Sequence, residues 1–551
     1  MSCLLHPFGS LEPGPDNRGT CYHIVPLSWC NPATSSTLEN TKLVLAFAAC
    51  FGVGAAIRGY LTSGSKYPLP PSPTTWGLWG HVLPYHRSYL TVEKWIEELG
   101  PVISFRSGTR RIVIIGRQKK CLAADSPSPF HTLGKRLHHM RRALHLHLGP
   151  RSLEQHELIQ LSYAKDMVMD IIDDPSNFQN HTLTFVSSVI MKVAYGKNTR
   201  TFAGDLELKD ARQRIEELGK SQRPGAYLVD SIPWLRYIPW YGKDLREGFE
   251  RGRKIYTASA QSRETSTSTY RLVILSMMPD PVPQQRNEDI GPSFAKYMLE
   301  TEHSYPFTEL ERAWLVGSLL LASNTTAAAL CTVLMVAALF PEEQAKVQAE
   351  FDAVIGRNRG SFIPIAVLSS NDVSTTVPTF ADENSLPLLR AFIAECQRWR
   401  PSAAEVYKVH TVGLAHQTTK DENYCIPAGT TVFGNHWAIS RDPDVFPDPH
   451  AFKPERWLND QGGLRKDHKF YTFGFGRRVC PAQHLVPRSV FIHSLLVLWA
   501  FRMTLDPTKP ADDMGYMIGV VPDIQPCTVQ FESRVPESAL RRMMQKDPEV
   551  A

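Results

Sequence analysis

The sequence predicts a mainly α-helical fold carrying small β-sheets, on three observations. Apolar residues recur at helical spacing through long stretches, most plainly at 156–173, 308–340 and 386–401. The stretch "GPVISFRSGTRRIVIIG" (100–116) reads as two short strands around a Ser-Gly-Thr turn, and after it the chain becomes mainly helical. Hydrophobic residues make up 43% of the 551, enough for a large core, and the 21% that are charged argue against wholesale disorder.

The elements follow in order. Residues 1–42 read as an N-terminal tail that does not resemble a signal peptide. The uncharged run "LVLAFAACFGVGAAI" (43–57), between Lys42 and Arg58, predicts a membrane anchor over 43–60, although it is shorter than the roughly 20 residues of a full span; the alternative is a buried helix. "KYPLPPSPTTWGLWG" (66–80) is a stiff proline linker with two tryptophans suited to a membrane interface, giving a hinge over 61–80. A catalytic body over 81–540 and a C-terminal tail over 541–551 complete the chain.

Within the body, "TLGKRLHHMRRALHLHL" (132–148) is a basic helix. His138, His139, His145 and His147 project around several of its faces and read as solvated or partner-facing rather than as a metal cluster. Residues 156–173 form an amphipathic helix. At 308–340, Thr308 and Glu311 make a capping box, and the helix then runs apolar from Ala313 to Phe340. Hydropathy would allow a membrane span, but "SNTT" (323–326) sets four consecutive polar side chains in its middle. A helix buried in a large domain, its polar groups facing a cavity, fits better. "LPLLRAFIAECQRWRP" (386–401) predicts a helix stopped by Pro401. Glu395 and Arg398 are neighbours on it at i, i+3, and taken alone read as a surface ion pair.

"YTFGFGRRVCPAQHL" (471–485) places one cysteine, Cys480, behind two glycines and two arginines. Gly474 and Gly476 allow positive φ and close backbone approach to a flat ligand. Arg477 and Arg478 can meet acidic groups, and Phe473 supplies an aromatic face. The residues that follow have helical apolar spacing, so Cys480 lies just before a helix N-terminus, where the dipole and the arginines favour thiolate. Such a thiolate in an apolar cleft suits an axial iron ligand; the alternative is an ordinary core cysteine on a turn.

The charge balance, 60 basic against 55 acidic residues for a net +5, suits an acidic partner or a membrane surface at most, with no nucleic acid. Ten scattered cysteines, with no CxxC pair and no zinc-like spacing, read as reduced residues of a cytosol-facing protein. Asn180-His-Thr182 matches the glycosylation sequon and is taken as surface polar sequence.

Here the motifs converge. Phe473, Gly476, Arg478 and Cys480 match the F-x-x-G-x-R-x-C signature, so the chain resembles the cytochrome P-450 haem-thiolate monooxygenases. Glu395-Cys-Gln-Arg398 resembles that family's ExxR pair. Arg456, in "FKPERW" (452–457), resembles the arginine that joins the pair in a buried network, and residues 434–457 read like the family throughout. The resemblance implies the family's fold, with haem b held between the long oxygen-groove helix and the helix after the cysteine loop, and with Cys480 as axial ligand.

The resemblance also carries over residue by residue. It gives Arg141 a haem propionate contact, with Leu137 where the family has tryptophan, and gives His416 a place on the other propionate side; alone, His416 would read as exposed. In "LASNTT" (321–326), Thr325 matches the proton-relay threonine and Ala322 the small residue that makes room for oxygen, while Asn324 stands where the family has an acid. Ala482 replaces the glycine two residues after the cysteine. The segment 117–140 is short for the family, and 262–292, 359–375 and 402–412 look like extra sequence, some of it from mis-joined exons.

The implied function is hydroxylation or oxidation of an apolar small molecule with O2, with electrons from an NADPH-cytochrome reductase docking near Arg142 and Arg477. Similarity to fungal microsomal members implies an endoplasmic reticulum membrane protein with its body in the cytosol, working in secondary metabolism on a terpenoid or polyketide-like substrate. The alternatives are a reductase-independent, peroxide-rearranging haem-thiolate enzyme and a non-catalytic remnant.

Overall fold

The computed structural model describes residues 44–54 and, apart from short interruptions of which the longest is 118–134, residues 68–250, 292–356 and 377–545. The chain divides into two units, Met1–Lys66 and Tyr67–Ala551. In the first, helix α1 (Val44–Gly54) is apolar and leaves Val44, Phe47 and Phe51 exposed. The expected tail 1–42 lies outside the described residues.

The division falls inside the expected hinge, and part of that hinge belongs to the body. The Pro70 carbonyl accepts from the Ser104 hydroxyl at 2.6 Å, and those of Pro68 and Pro71 accept from the Cys425 and Ser104 amides. Proline has no N–H to offer a sheet, but its carbonyl still accepts.

Helix α2 (Ser88–Leu99) precedes strands β1 (Val102–Ser107) and β2 (Arg110–Ile115), which pair antiparallel from Val102↔Ile115 to Ser107↔Arg110, as the sequence predicts. Period-two alternation sorts their side chains. Ile103, Phe105, Ile112 and Ile114 pack with Val92 and Ile96 of α2, while Val102, Val113 and Ile115 face the other way.

Next come helices α3 (Lys135–Leu148), α4 (Leu153–Asp173) and α5 (Phe178–Tyr195), then α6 (Phe294–Glu300). Gly196 ends α5 at φ 76°, a left-handed turn that glycine adopts without steric cost.

The 308–340 run is α7 (Glu309–Gly317), a 3-10 turn (Ser318–Leu321) and α8 (Ala322–Leu339). The capping box of Thr308 and Glu311 is present. The 3-10 interruption is a departure from the expected continuous helix. It lies where the Ser318 and Ser323 hydroxyls donate to the Leu315 and Leu320 carbonyls, a local competition with helical bonding. Of the most apolar window in Glu311–Leu339, 83% is buried in the protein, as a core helix and not a lipid-facing one requires.

Helices α9 (Pro341–Val354) and α10 (Pro387–Trp399) follow, each opened by a proline in its first turn, where no intrahelical N–H is lost. Strands β3 (Val406–Thr411), β4 (His416–Gln417), β5 (Cys425–Ile426) and β6 (Thr431–Asn435) complete the small sheets, one of them in the order β1-β2-β6-β3. Of the segments read as extra, 402–412 therefore contributes β3, whereas 262–291 and 359–375 lie outside the described residues.

Helix α11 (His436–Ile439), helix α12 (Leu485–Ala500), the β7 (Phe501–Leu505) and β8 (Val529–Ser533) hairpin, and α13 (Glu537–Met544) close the chain. The expected tail boundary at 541 falls inside α13, which buries Leu540, Met543 and Met544. Helices α8 and α12 are apolar on nearly all sides because they run through the core, α8 against α5 and α12 against α4.

Candidate functional site

The cysteine loop folds on itself through backbone bonds. The Gly474 N–H donates to the Tyr471 carbonyl at 2.9 Å, and the Cys480 N–H donates to the Phe473 carbonyl at 2.7 Å. Gly474 sits at φ 82° with open space where a Cβ would be, so its conformation and not crowding requires glycine. Gly476, Arg477 and Arg478 lie outside the described residues. A turn over 481–484 separates Cys480 from α12.

Burial pushes the Cys480 thiol above its ordinary value, while the Ala482 N–H and Arg141 act in the opposite direction. Among the described groups burial therefore outweighs those that favour a thiolate, which departs from the expectation; Arg477 and Arg478, the charges that expectation named, lie outside the described residues. A cation bound at the sulfur reverses that balance.

Helix α3 brings Arg141 to this loop, where its Nη2 donates to the carbonyl of Val479, the residue before the cysteine. The other basic-helix side chains divide. His138 and His145 are exposed, as expected, but His147 is half-buried and packs on Tyr297 and Phe294 at ring distances of 4.9 and 5.4 Å. Among the described residues no group of histidines, cysteines and carboxylates is placed to hold a metal ion.

A small, almost wholly apolar cavity of about 20 Å³ lies against the turn that follows the cysteine. Its walls include Leu148 of α3, Val189 of α5, Ala322 and Thr326 of α8, and Ala482 and Val486, two and six residues after Cys480. In the otherwise buried run from Leu315 to Ala338, only Ser318, Leu321, Ala322 and Thr325 are half-buried. Their spacing of three and four residues puts them on one face. Ala322 and Thr325 are therefore brought together on an open stripe, with the Thr325 hydroxyl donating to the Ala322 carbonyl at 3.3 Å. Asn324 is not on that stripe. It is 5% exposed, and its Oδ1 has no hydrogen-bond partner.

Glu395 and Arg398 are not a surface pair. Their side chains are 0% and 1% exposed. Arg398 Nε and Nη2 reach the two Glu395 oxygens at 2.8 and 2.7 Å, and its other donors go to the carbonyls of Ser440, Pro449 and Ala451. Arg456 Nε joins at 3.1 Å. Two further donors to Glu395 were missed in the sequence, the Trp457 indole at 2.9 Å and the Lys453 amide at 2.9 Å. Trp457 stands beside Arg456 in "FKPERW", so adjacency was an available signal; a backbone amide gives none. Such a carboxylate, fully satisfied by arginines and amides, fixes α10 to the chain that leads to the cysteine loop. His416 lies on β4 opposite Ile426; its side chain is outside the described residues.

A family model described as Cytochrome P450 matches residues 122–531. The chain is 37% identical over 494 residues to cytochrome P450 monooxygenase 64 of Postia placenta, covering 85% of this chain and 91% of that protein. Cytochrome P450 monooxygenase 113 of the same fungus is 34% identical over 525 residues, covering 90% and 98%. A relative in Coprinopsis cinerea, cytochrome P450 monooxygenase COX2, is 27% identical over 566 residues, covering 94% and 98%.

Proposed function

The chain belongs to the cytochrome P-450 family, and from that membership we propose that it oxidises an apolar small molecule at the cavity between α8 and α12, with Cys480 as the thiolate ligand of the haem. Membership makes it a monooxygenase with a haem cofactor. The observation that carries the site assignment is the shared wall, with Ala322 and Thr326 of α8 lining the same apolar cavity as Ala482 and Val486.

The residues present fit a haem. The fit is one of lining and not of volume: the cavity walls are apolar, as a macrocycle needs, and the half-buried stripe of α8 leaves a face beside them, but the cavity itself, about 20 Å³, is far smaller than a haem. Cys480 supplies a soft sulfur donor whose charge burial alone disfavours, so a metal cation would stabilise it. When bound, the group supplies the oxygen-activating chemistry, which a thiolate ligand favours. The protein's own residues do the rest. Arg141 holds the cysteine loop through Val479, Ala322 keeps the stripe open with a single methyl, and the Thr325 hydroxyl holds a proton beside it. Arg141 and His416 take the propionate roles their motif positions give them, and Arg478 serves cofactor binding as part of the cysteine-loop signature.

Electrons come from an NADPH-dependent reductase on the basic face that includes Arg142, which is exposed. Helix α1 anchors the protein to the endoplasmic reticulum membrane with the body in the cytosol, a reading supported by its exposed Val44, Phe47 and Phe51. A substrate from secondary metabolism is assigned only by the resemblance of the motifs to fungal members of the family. A peroxide-rearranging reaction is the second reading, favoured by Asn324, an amide that cannot titrate. Labelled dioxygen separates the two. The monooxygenase reading expects one labelled oxygen atom in product, strictly dependent on reductase and NADPH. Turnover of an organic peroxide without reductase, and no label from dioxygen, would overturn it.

A further inference from the structure

Helix α3 is held in two different ways along its length. Its C-terminal half is packed, with Ala143, Leu144 and Leu148 buried and His147 against Tyr297. Between Arg136 and Arg142 no residue is buried. Met140 packs on the core from this half, and polar side chains supply its other ties, Arg141 to the Val479 carbonyl and Arg136 to Glu311.

The second tie differs from a common surface pair. It joins residues 175 apart in sequence, and both guanidinium nitrogens Nε and Nη2 meet the two carboxylate oxygens. The carboxylate is already fixed, because Glu311 Oε2 also accepts from the Thr308 amide and hydroxyl, each at 2.8 Å, in the cap of α7. An exposed pair is usually weak because two long side chains must be ordered for it. Here one of them is ordered by the helix cap. Its two ends also matter. Helix α3 supplies Leu148 to the cavity, and α7 runs on through the 3-10 turn into the Ala322 and Thr325 stripe.

We propose that the Arg136–Glu311 pair is a clasp that fastens the less buried half of α3, where Met140 alone packs on the main core, to the oxygen-groove helix run, and thereby holds Arg141 on the Cys480 loop and slows escape of the haem. Arg136 and Glu311 are positioning residues in this account, which rests on the haem assignment above. Elevated salt opens the clasp, because exposed charges are screened.

The test measures haem loss from the holoprotein to an excess of a haem-scavenging apoglobin, at low and high salt. Glu311→Gln keeps the cap, since glutamine also serves at that position, and removes the charge. Arg136→Gln removes the other partner. Each should speed haem loss about two- to fivefold, the double variant should be no faster than either, and high salt should bring the unmodified protein to the same rate. Thr308→Ala loosens the cap and leaves both charges. If it speeds haem loss while Arg136→Gln does not, the effect is helix capping and the clasp is rejected. Unchanged rates in all variants, or no salt dependence in the unmodified protein, reject it as well. The reduced carbon monoxide spectrum separates failures. A thiolate signature with unchanged rates rejects only the clasp, whereas no such signature in the unmodified protein rejects the haem-thiolate assignment beneath it.

Discussion

Arg398 grips both oxygens of Glu395 at 2.7 and 2.8 Å within a single helical turn, with neither side chain exposed. Removing the arginine takes the bidentate partner from a carboxylate at 0% exposure, leaving it Arg456, Trp457 and one amide, and takes a donor from each of the carbonyls of Ser440, Pro449 and Ala451. Breaking a buried pair from one side costs about 3–5 kcal/mol. Arg398→Ala should therefore lower soluble yield and haem content far more than turnover per haem. Full haem content at normal yield would show the network to be dispensable.

Trp457 contributes one neutral donor to the same carboxylate. Losing a single such bond at a buried acceptor costs about 1–3 kcal/mol. Trp457→Phe should lower the thermal midpoint yet leave a holoprotein that can be purified. A loss as severe as that of Arg398→Ala would mean that the indole carries more of the network than its single bond implies.

Thr325 lies on the open stripe of α8, and Asn324 lies off it with an unpartnered Oδ1. An amide cannot restock a proton relay. Asn324→Asp should preserve haem binding and raise product formed per NADPH, and Thr325→Ala should release more hydrogen peroxide. The assay counts NADPH, peroxide and product together with reductase. An unchanged partition in both variants would mean that protons reach the site elsewhere.

Two core histidines make the fold acid-sensitive. Burial holds His493 down at about 3 and His436 at about 4, and the His493 ring nitrogens have no hydrogen-bond partner. Both stay neutral in the folded protein, while the unfolded chain takes up protons below about pH 6.5. Stability is therefore full above that pH and is lost as pH falls toward 4, by about 1.4 kcal/mol per pH unit for each histidine. His493→Leu should flatten the fall in urea midpoint between pH 7 and 5. Parallel curves for the two proteins would refute this origin.

How much of this the sequence reveals depends on the range of the interaction. The strands at 102–107 and 110–115, the cap at Thr308 and the helix ended before Pro401 are local, and local spacing predicts them. The 3-10 turn at 318–321 coincides with serine hydroxyls bonding to nearby carbonyls, which apolar periodicity does not register. Burial of Glu395 and Arg398 was unreadable from their i, i+3 spacing, because it is created by carbonyls more than forty residues away. The family motifs supplied that information where spacing could not. For Cys480 the sequence pointed to nearby positive charge but not to the burial that outweighs it, since desolvation is a property of the packed loop.

Removing residues 1–66, the unit that contains α1, should release the body from membranes. Unchanged sedimentation with membranes would place the lipid contact in the second unit.

The central claim is that Cys480 is the thiolate at the cavity between α8 and α12, and the spectrum of the reduced carbon monoxide complex tests it most directly. The unmodified protein should give the thiolate-specific Soret shift. Cys480→Ser should lose that shift while Cys425→Ser, which changes another partly buried cysteine, keeps it. A thiolate-type spectrum surviving in Cys480→Ser would contradict the account, because another residue would then hold the iron.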